Sequence, residues 1–304
     1  MKKSKKREIL MPLVVLVILL LAVPVVFAGF SDFWNKITGW ATSGQTTVSI
    51  SLGNNDPVVD FVSTIAAQDV TESGTASIPF WFTATDIDGV ANLDDSSAQA
   101  RFQKSGETTR TNISCVLLSD IDTDTANYSC TVDIWYWDAA GSWTINATIE
   151  DINDAVGENS STTFTLNPTT AMAMSPTALA WPSINLTSTN VLSNNDPIII
   201  NNTANKDIAA DHVNVTAIDL PGETTGSEYI YAGNFTSKIT DACDGTVMVN
   251  NTAIGVSGAI ITAGNNSAGD GQESLYFCLE DVPSGISSQT YSTTGSESWT
   301  IAVD

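Results

Sequence analysis

The sequence predicts an all-β protein, and three observations carry that expectation. From about residue 45 onward, apolar residues alternate with Ser, Thr and other polar residues at period two. Clusters of Gly, Asn and Asp break the alternation at the spacing expected of short antiparallel strands. Two short motifs also recur in order. Asn54-Asn-Asp-Pro-Val-Val59 returns as Asn194-Asn-Asp-Pro-Ile-Ile199, and Ser142-Trp-Thr-Ile145 returns as Ser298-Trp-Thr-Ile301, with internal separations of 88 and 104 residues. The echo reads as two diverged units. The expected organisation is residues 1–28 as a targeting or anchoring helix and 29–53 as a lead-in. Two tandem β-sandwich domains follow, at 54–168 and 169–304.

The first element is set by charge and hydropathy. Lys2, Lys3, Lys5, Lys6 and Arg7 form a basic block, and Ile9–Phe27 is a 19-residue uncharged stretch. It ends at Val26-Phe27-Ala28, which fits signal-peptidase cleavage after Ala28. The stretch is also long enough for a bilayer span. Under either reading the basic block stays in the cytoplasm and the chain after Ala28 lies outside. The expected location is therefore extracytoplasmic, either anchored at the cell surface or secreted. Phe30, Phe33, Trp34, Ile37 and Trp40 then follow helical spacing, as an interfacial helix or a helix packed on its own domain would.

In the first domain the expected strands are 58–65, 77–85, 98–104, 111–118, 127–135, 142–151 and 162–167. Seven short strands over roughly a hundred residues, with turns between, is the signature of an Ig-like sandwich. Along 142–151, Trp143, Ile145, Ala147 and Ile149 occupy one phase and Thr144, Asn146 and Thr148 the other. In the second domain the expected strands are 178–181, 197–201, 212–218, 228–235, 246–250, 275–279 and 298–303. The lead-in Lys36-Ile-Thr-Gly-Trp-Ala-Thr42, the Asn-Asn-Asp-Pro strand start and the strand Gly141-Ser-Trp-Thr-Ile-Asn-Ala-Thr148 resemble uncharacterised exported Ig-like proteins of small-genome (DPANN-type) archaea. The resemblance covers most of the chain and implies location rather than activity.

Charge narrows the partners. The chain has 304 residues, with 34 Asp and Glu against 11 Lys and Arg, a formal charge of −23. The segment after Ala28 carries 6 cations and 33 anions, a net −27. Such a surface repels phosphate backbones, which excludes nucleic acid as a partner. The single His leaves little room for His-based metal sites or a Ser-His-Asp triad. His212 reads as a strand-edge residue. No nucleophile elbow, phosphate loop or dinucleotide fingerprint is present. No catalytic residue and no resident cofactor are expected, with Ca²⁺ as the exception considered below.

Four cysteines without a CxxC, in an exported chain, point to disulfides. Of the three possible pairings, Cys115–Cys130 with Cys243–Cys278 is the simplest, because it keeps each bridge within one domain. Closing a loop of this size contributes roughly 3 kcal/mol in the chain-entropy account. Ten Asn-x-Ser/Thr sequons, at Asn112, Asn127, Asn146, Asn159, Asn185, Asn201, Asn214, Asn234, Asn250 and Asn265, mark candidate N-glycosylation sites.

Two clusters carry candidate binding chemistry. In a seven-strand sandwich the connections after the second, fourth and sixth strands emerge at one end. These hold Asp86, Asp88, Asp120, Asp122, Asp124, Asp151, Asn153 and Asp154, an oxygen-rich set of the kind Ca²⁺ takes. Asp120–Asp124 begins like an EF-hand loop, but Thr125 and Thr131 stand where that loop needs Gly and Glu. Asp151-Ile-Asn-Asp154 partly matches a cadherin linker, without the residues that should follow. The second cluster is Trp135-Tyr136-Trp137, where Trp135 and Trp137 share a face. They read as core cover or as a stacking platform for sugar rings. The functional expectation is a non-enzymatic structural or adhesive surface protein with protein or glycan partners. The alternatives are a Ca²⁺-dependent or carbohydrate-binding module and, more remotely, a polysaccharide hydrolase.

Overall fold

Eight strands whose inward phase is almost wholly apolar build the first lobe of the computed structural model, which describes residues 47–293 and 297–304. They are β1 (Val58–Val62), β2 (Thr75–Thr85), β3 (Leu93–Gln103), β4 (Arg110–Asn112), β5 (Val116–Asp120), β6 (Thr125–Trp135), β7 (Gly141–Asp151) and β8 (Val156–Leu166). They form two antiparallel four-stranded sheets, in the orders β1-β2-β6-β5 and β4-β3-β7-β8. Ala126, Tyr128, Cys130, Val132 and Ile134 of β6 meet Trp143, Ile145, Ala147 and Ile149 of β7 in one core. Each large buried side chain contributes about 1.5–3 kcal/mol. The polar tips of its two largest side chains are satisfied. The Trp143 indole N–H donates to the Ala139 carbonyl at 2.9 Å, and the Tyr128 hydroxyl donates to Asp95 at 2.7 Å. Burial, reinforced by that carboxylate, pushes the Tyr128 phenol well above its usual range.

The segment from Arg110 to Asp120 changes sheets. Its first part, β4, pairs with β3, and its last part, β5, pairs with β6. Two links fix the crossing. Cys115 bonds to Cys130 of β6 with Cα atoms 4.5 Å apart, both side chains facing the core. Arg110 holds the fully buried Asp138 through Nε and Nη2, and Asp138 also accepts the Trp135 backbone N–H at 2.7 Å. Where β1 and β8 close the edge of the lobe, Gly157 lies against Pro57. A Cβ there would sit 2.5 Å from the Pro57 carbonyl oxygen, so only Gly fits.

The second lobe has its own core. Its strands are β9 (Met172–Ser175), β10 (Thr189–Leu192), β11 (Ile198–Asn202), β12 (Val213–Ala217), β13 (Leu220–Pro221), β14 (Tyr229–Ile230), β15 (Phe235–Lys238), β16 (Thr246–Val247), β17 (Thr252–Gly255), β18 (Gln272–Asp281) and β19 (Thr300–Val303). Strand β18 is the spine. It pairs with β15 on one edge and with β11 and then β10 on the other. In the gap between β10 and β11 a side chain replaces the backbone, because Asp196 accepts the Phe277 N–H at 3.1 Å. Trp181, Phe235 and Trp299 pack edge to face, with centroids 5.2 and 5.0 Å apart. Cys243 bonds to Cys278 of β18. Glu228 accepts hydrogen bonds from the Ser287 N–H and hydroxyl, Gln289 and Tyr291, which ties residues 287–291 to the β13–β14 hairpin. Both lobes belong to one compact unit, 54–304. The Ser73 N–H donates to the Thr203 carbonyl and the Asn266 N–H to the Tyr136 hydroxyl, each at 3.0 Å, while Ala204 is buried in the first core.

The expected all-β class and both disulfides are present. Several expected strands differ. The strand 111–118 is broken in two by the sheet change. Residues 178–181 form no strand, because the Trp181 indole is directed to the Val191 carbonyl and into the aromatic cluster. Residues 228–235 are interrupted by a single 3-10 turn at Ala232–Asn234. The strand expected at 162–167 begins earlier, at Val156. No helix among the described residues is long and apolar enough to cross a membrane. The expected targeting segment 1–28 and the aromatic pattern Phe30–Trp40 lie outside the described residues.

Two charge pairs give a test of the crossing. Arg110→Ala strands the buried Asp138, and its expected cost is about 3–5 kcal/mol in chemical denaturation. Lys238→Ala removes the Lys238–Asp244 pair, in which Asp244 is exposed and screened by solvent, and should cost far less than Arg110→Ala. Equal costs would contradict the role given to Arg110.

Candidate functional site

The three acidic connections do come together. The Asp86 N–H donates to the Asp124 carbonyl at 2.8 Å, the Val90 N–H to the Thr123 carbonyl at 2.9 Å, and the Ile152 N–H to the Asn92 carbonyl at 2.8 Å. Asp86 and Asp151 are buried at this end. Neutral amides occupy their oxygens. Asp86 accepts from the Asp88 N–H and from Asn92 Nδ2. Asp151 accepts from the Asn153 and Ala155 N–H groups and from Asn54 Nδ2. Asn54 is the hub, since its Oδ1 also accepts from Asn92 at 3.2 Å and Asn153 at 2.7 Å. Asn55 binds Asp88 through its N–H and side-chain amide. The bond from Asn54 is the main cause holding the Asp151 carboxyl below its usual range.

The remaining acidic candidates point elsewhere. Asp122 is turned into its own turn, where the Asp124 and Thr125 N–H groups lower its pKa. Asp120 and Asp154 are exposed, and Asp124 enters the junction through its backbone carbonyl. Among the described residues no three His, Cys, Asp or Glu side chains form a metal-holding group. His212 pairs with Asp304 at 2.6 Å, with both side chains exposed beside the β12–β19 edge.

A second locus lies on the outward face of the β1-β2-β6-β5 sheet. Trp135 and Trp137 stack with centroids 4.9 Å apart, as their shared phase implied. They differ in role. Trp137 packs against the core, Tyr136 is buried edge-on to it, and Trp135 remains 38% exposed. Trp135 borders an open groove of about 480 Å³ lined by Arg110, Asn112, Ile113, Thr131 and Asp133 among others. Farther along the face, Phe61 and Trp81 sit 4.9 Å apart, 46% and 41% exposed. The sequence reading passed over this pair. The signal was an aromatic, Trp81, in the polar phase of β2 alongside Ser77 and Pro79.

None of the ten sequon asparagines is buried. Asn185 and Asn250 are exposed and the rest are half-buried. Asn112 and Asn159 donate their amides to the Thr131 and Val59 carbonyls, so both already serve as clips. Asn127 and Asn146 each enclose an unpartnered side-chain oxygen.

The Asn54 hub predicts a pH effect. A carboxyl with a lowered folded pKa stabilises the fold above its ordinary range, and that stability is lost as pH falls through the lowered value. Asn54→Ala should lower stability near neutral pH, from the bonds lost. It should also flatten the decline in the denaturation midpoint as pH falls from about 5 toward 2. An unchanged pH profile would contradict the hub. A search of protein-family models and of curated proteins finds no match to this chain.

Proposed function

We propose that the chain works outside the cytoplasmic membrane as a non-enzymatic structural or adhesive surface protein, N-glycosylated and built from Ig-like units. The carrying observation is the pair of disulfides, Cys115–Cys130 and Cys243–Cys278, which leaves no free cysteine. Such bridges persist in oxidising compartments, and they agree with the basic block and apolar stretch that open the sequence. The strand orders support an Ig-like first lobe. First, second, sixth and fifth strands share one sheet and fourth, third, seventh and eighth the other, the arrangement of an Ig sandwich with an added edge strand. The exposed sequon asparagines Asn185 and Asn250 support surface glycans.

The reading is tested on native protein from fractionated cells. Alkylation after denaturation without reductant should label no cysteine, the protein should partition with the cell envelope or medium, and the mass should exceed that of the bare polypeptide. Recovery from the cytoplasm with four alkylated cysteines would contradict it.

A further inference from the structure

Strand β6 presents Ser129, Thr131, Asp133 and Trp135 in succession on the outward face of the first lobe. Ser129 is directly opposite Trp81, and Trp135 is opposite Thr75. The Phe61–Trp81 pair therefore lies about 20 Å along the strand from Trp135, at roughly 3.4 Å per residue. Between these aromatic ends the face is open: it carries Ser77, Thr131 and Asp133 beside the exposed apolar Pro79 and Ile113, and Val116 stands opposite Ser129. Asp133 uses one carboxylate oxygen on the Ser77 hydroxyl at 2.6 Å, and Thr131 and Asn112 line the groove beside it.

From this arrangement we infer that the outward face of the β1-β2-β6-β5 sheet is a binding strip for an extended neutral polysaccharide, with Trp81 and Trp135 as its two stacking platforms. The inference rests on the surface reading above and names the ligand class. Aromatic rings exposed on a sheet match the C–H faces of pyranose rings, and the Thr131 hydroxyl and the second Asp133 carboxylate oxygen between them match sugar hydroxyls. The span accommodates several sugar units. Charge selects a neutral chain. The face carries Asp60 and Asp133, and the nearby cation, Arg110, is turned inward onto Asp138. An anionic polymer is repelled. A second copy is disfavoured for the same reason, because a two-fold contact sets the patch and its carboxylates against themselves.

The test uses the purified full-length protein in affinity electrophoresis through gels containing soluble mannan, xylan or dextran, with polygalacturonate as the anionic probe. Retardation is expected in at least one neutral gel and not in polygalacturonate. Trp135→Ala and Trp81→Ala should each weaken binding about tenfold, the scale of one lost stacking contact. Tyr231→Ala, an exposed aromatic on the other lobe, should leave binding unchanged. Thermal midpoints and intact disulfides report folding. Thr131→Lys probes the same strip without removing a ring, and it should also weaken retardation.

Four results would overturn the inference: no retardation of folded protein by any neutral probe; binding indifferent to Trp81, Trp135 and Thr131; a dimer dissolved by Trp81→Ala; or native glycans at Asn112 or Asn127, which would cover the strip. A protein found at the cell surface that binds no probe ends the inference and leaves the surface reading standing. A reduced cytoplasmic protein ends the surface reading whatever it binds.

Discussion

The change of sheet between Arg110 and Asp120 is the constraint on which the first lobe depends. A chain that leaves one sheet and joins the other must turn its backbone through the edge of the core, where unpaired polar groups are costly. The covalent link Cys115–Cys130 secures the crossing on the core side. The Arg110–Asp138 pair secures its start, and Asn112 clips its turn to the Thr131 carbonyl at 2.7 Å. The same crossing places Asn112 and Ile113 beside Thr131, Asp133 and Trp135, so the groove is a by-product of how the edge is closed.

The two ends of the sandwich solve one electrostatic problem, a buried carboxylate, with different donors. At the end carrying Asp86 and Asp151, buried carboxylates accept from the Asn54 and Asn92 side-chain amides and from the Asn153 N–H. At the other end, the buried Asp138 is matched by a guanidinium and a backbone N–H. Charge-assisted bonds of both kinds are stronger than neutral ones, and both tie segments far apart in the chain. Asn54 and Asp151 are separated by 97 residues and Arg110 and Asp138 by 28.

Much of this was legible in the sequence. The alternation in 142–151 set Trp143, Ile145, Ala147 and Ile149 on the face that is buried, and the disulfide pairing followed from keeping each bridge within one domain. The meeting of three acidic connections followed from strand count alone. Other features were not legible for physical reasons. Thr111, Ile113, Cys115 and Leu117 alternate without a break, so periodicity reads one strand where backbone pairing makes two. The role of Asn54 depends on partners in two distant loops. In the second lobe, Asp196 substitutes a carboxylate for a strand carbonyl, and burial raises its pKa, a substitution that no periodicity reports.

One sheet face stands open with an exposed tryptophan toward each end, Trp81 and Trp135. Hydroxyl-radical footprinting of the purified protein, with and without a retarding polysaccharide, tests it as a ligand strip residue by residue. Trp81 and Trp135 should label readily in the free protein and lose labelling together when the polysaccharide is added. The buried Trp143 should stay unlabelled and Tyr231 unchanged throughout. Protection of Tyr231 instead, or of neither tryptophan, would rule out a ligand strip on this face.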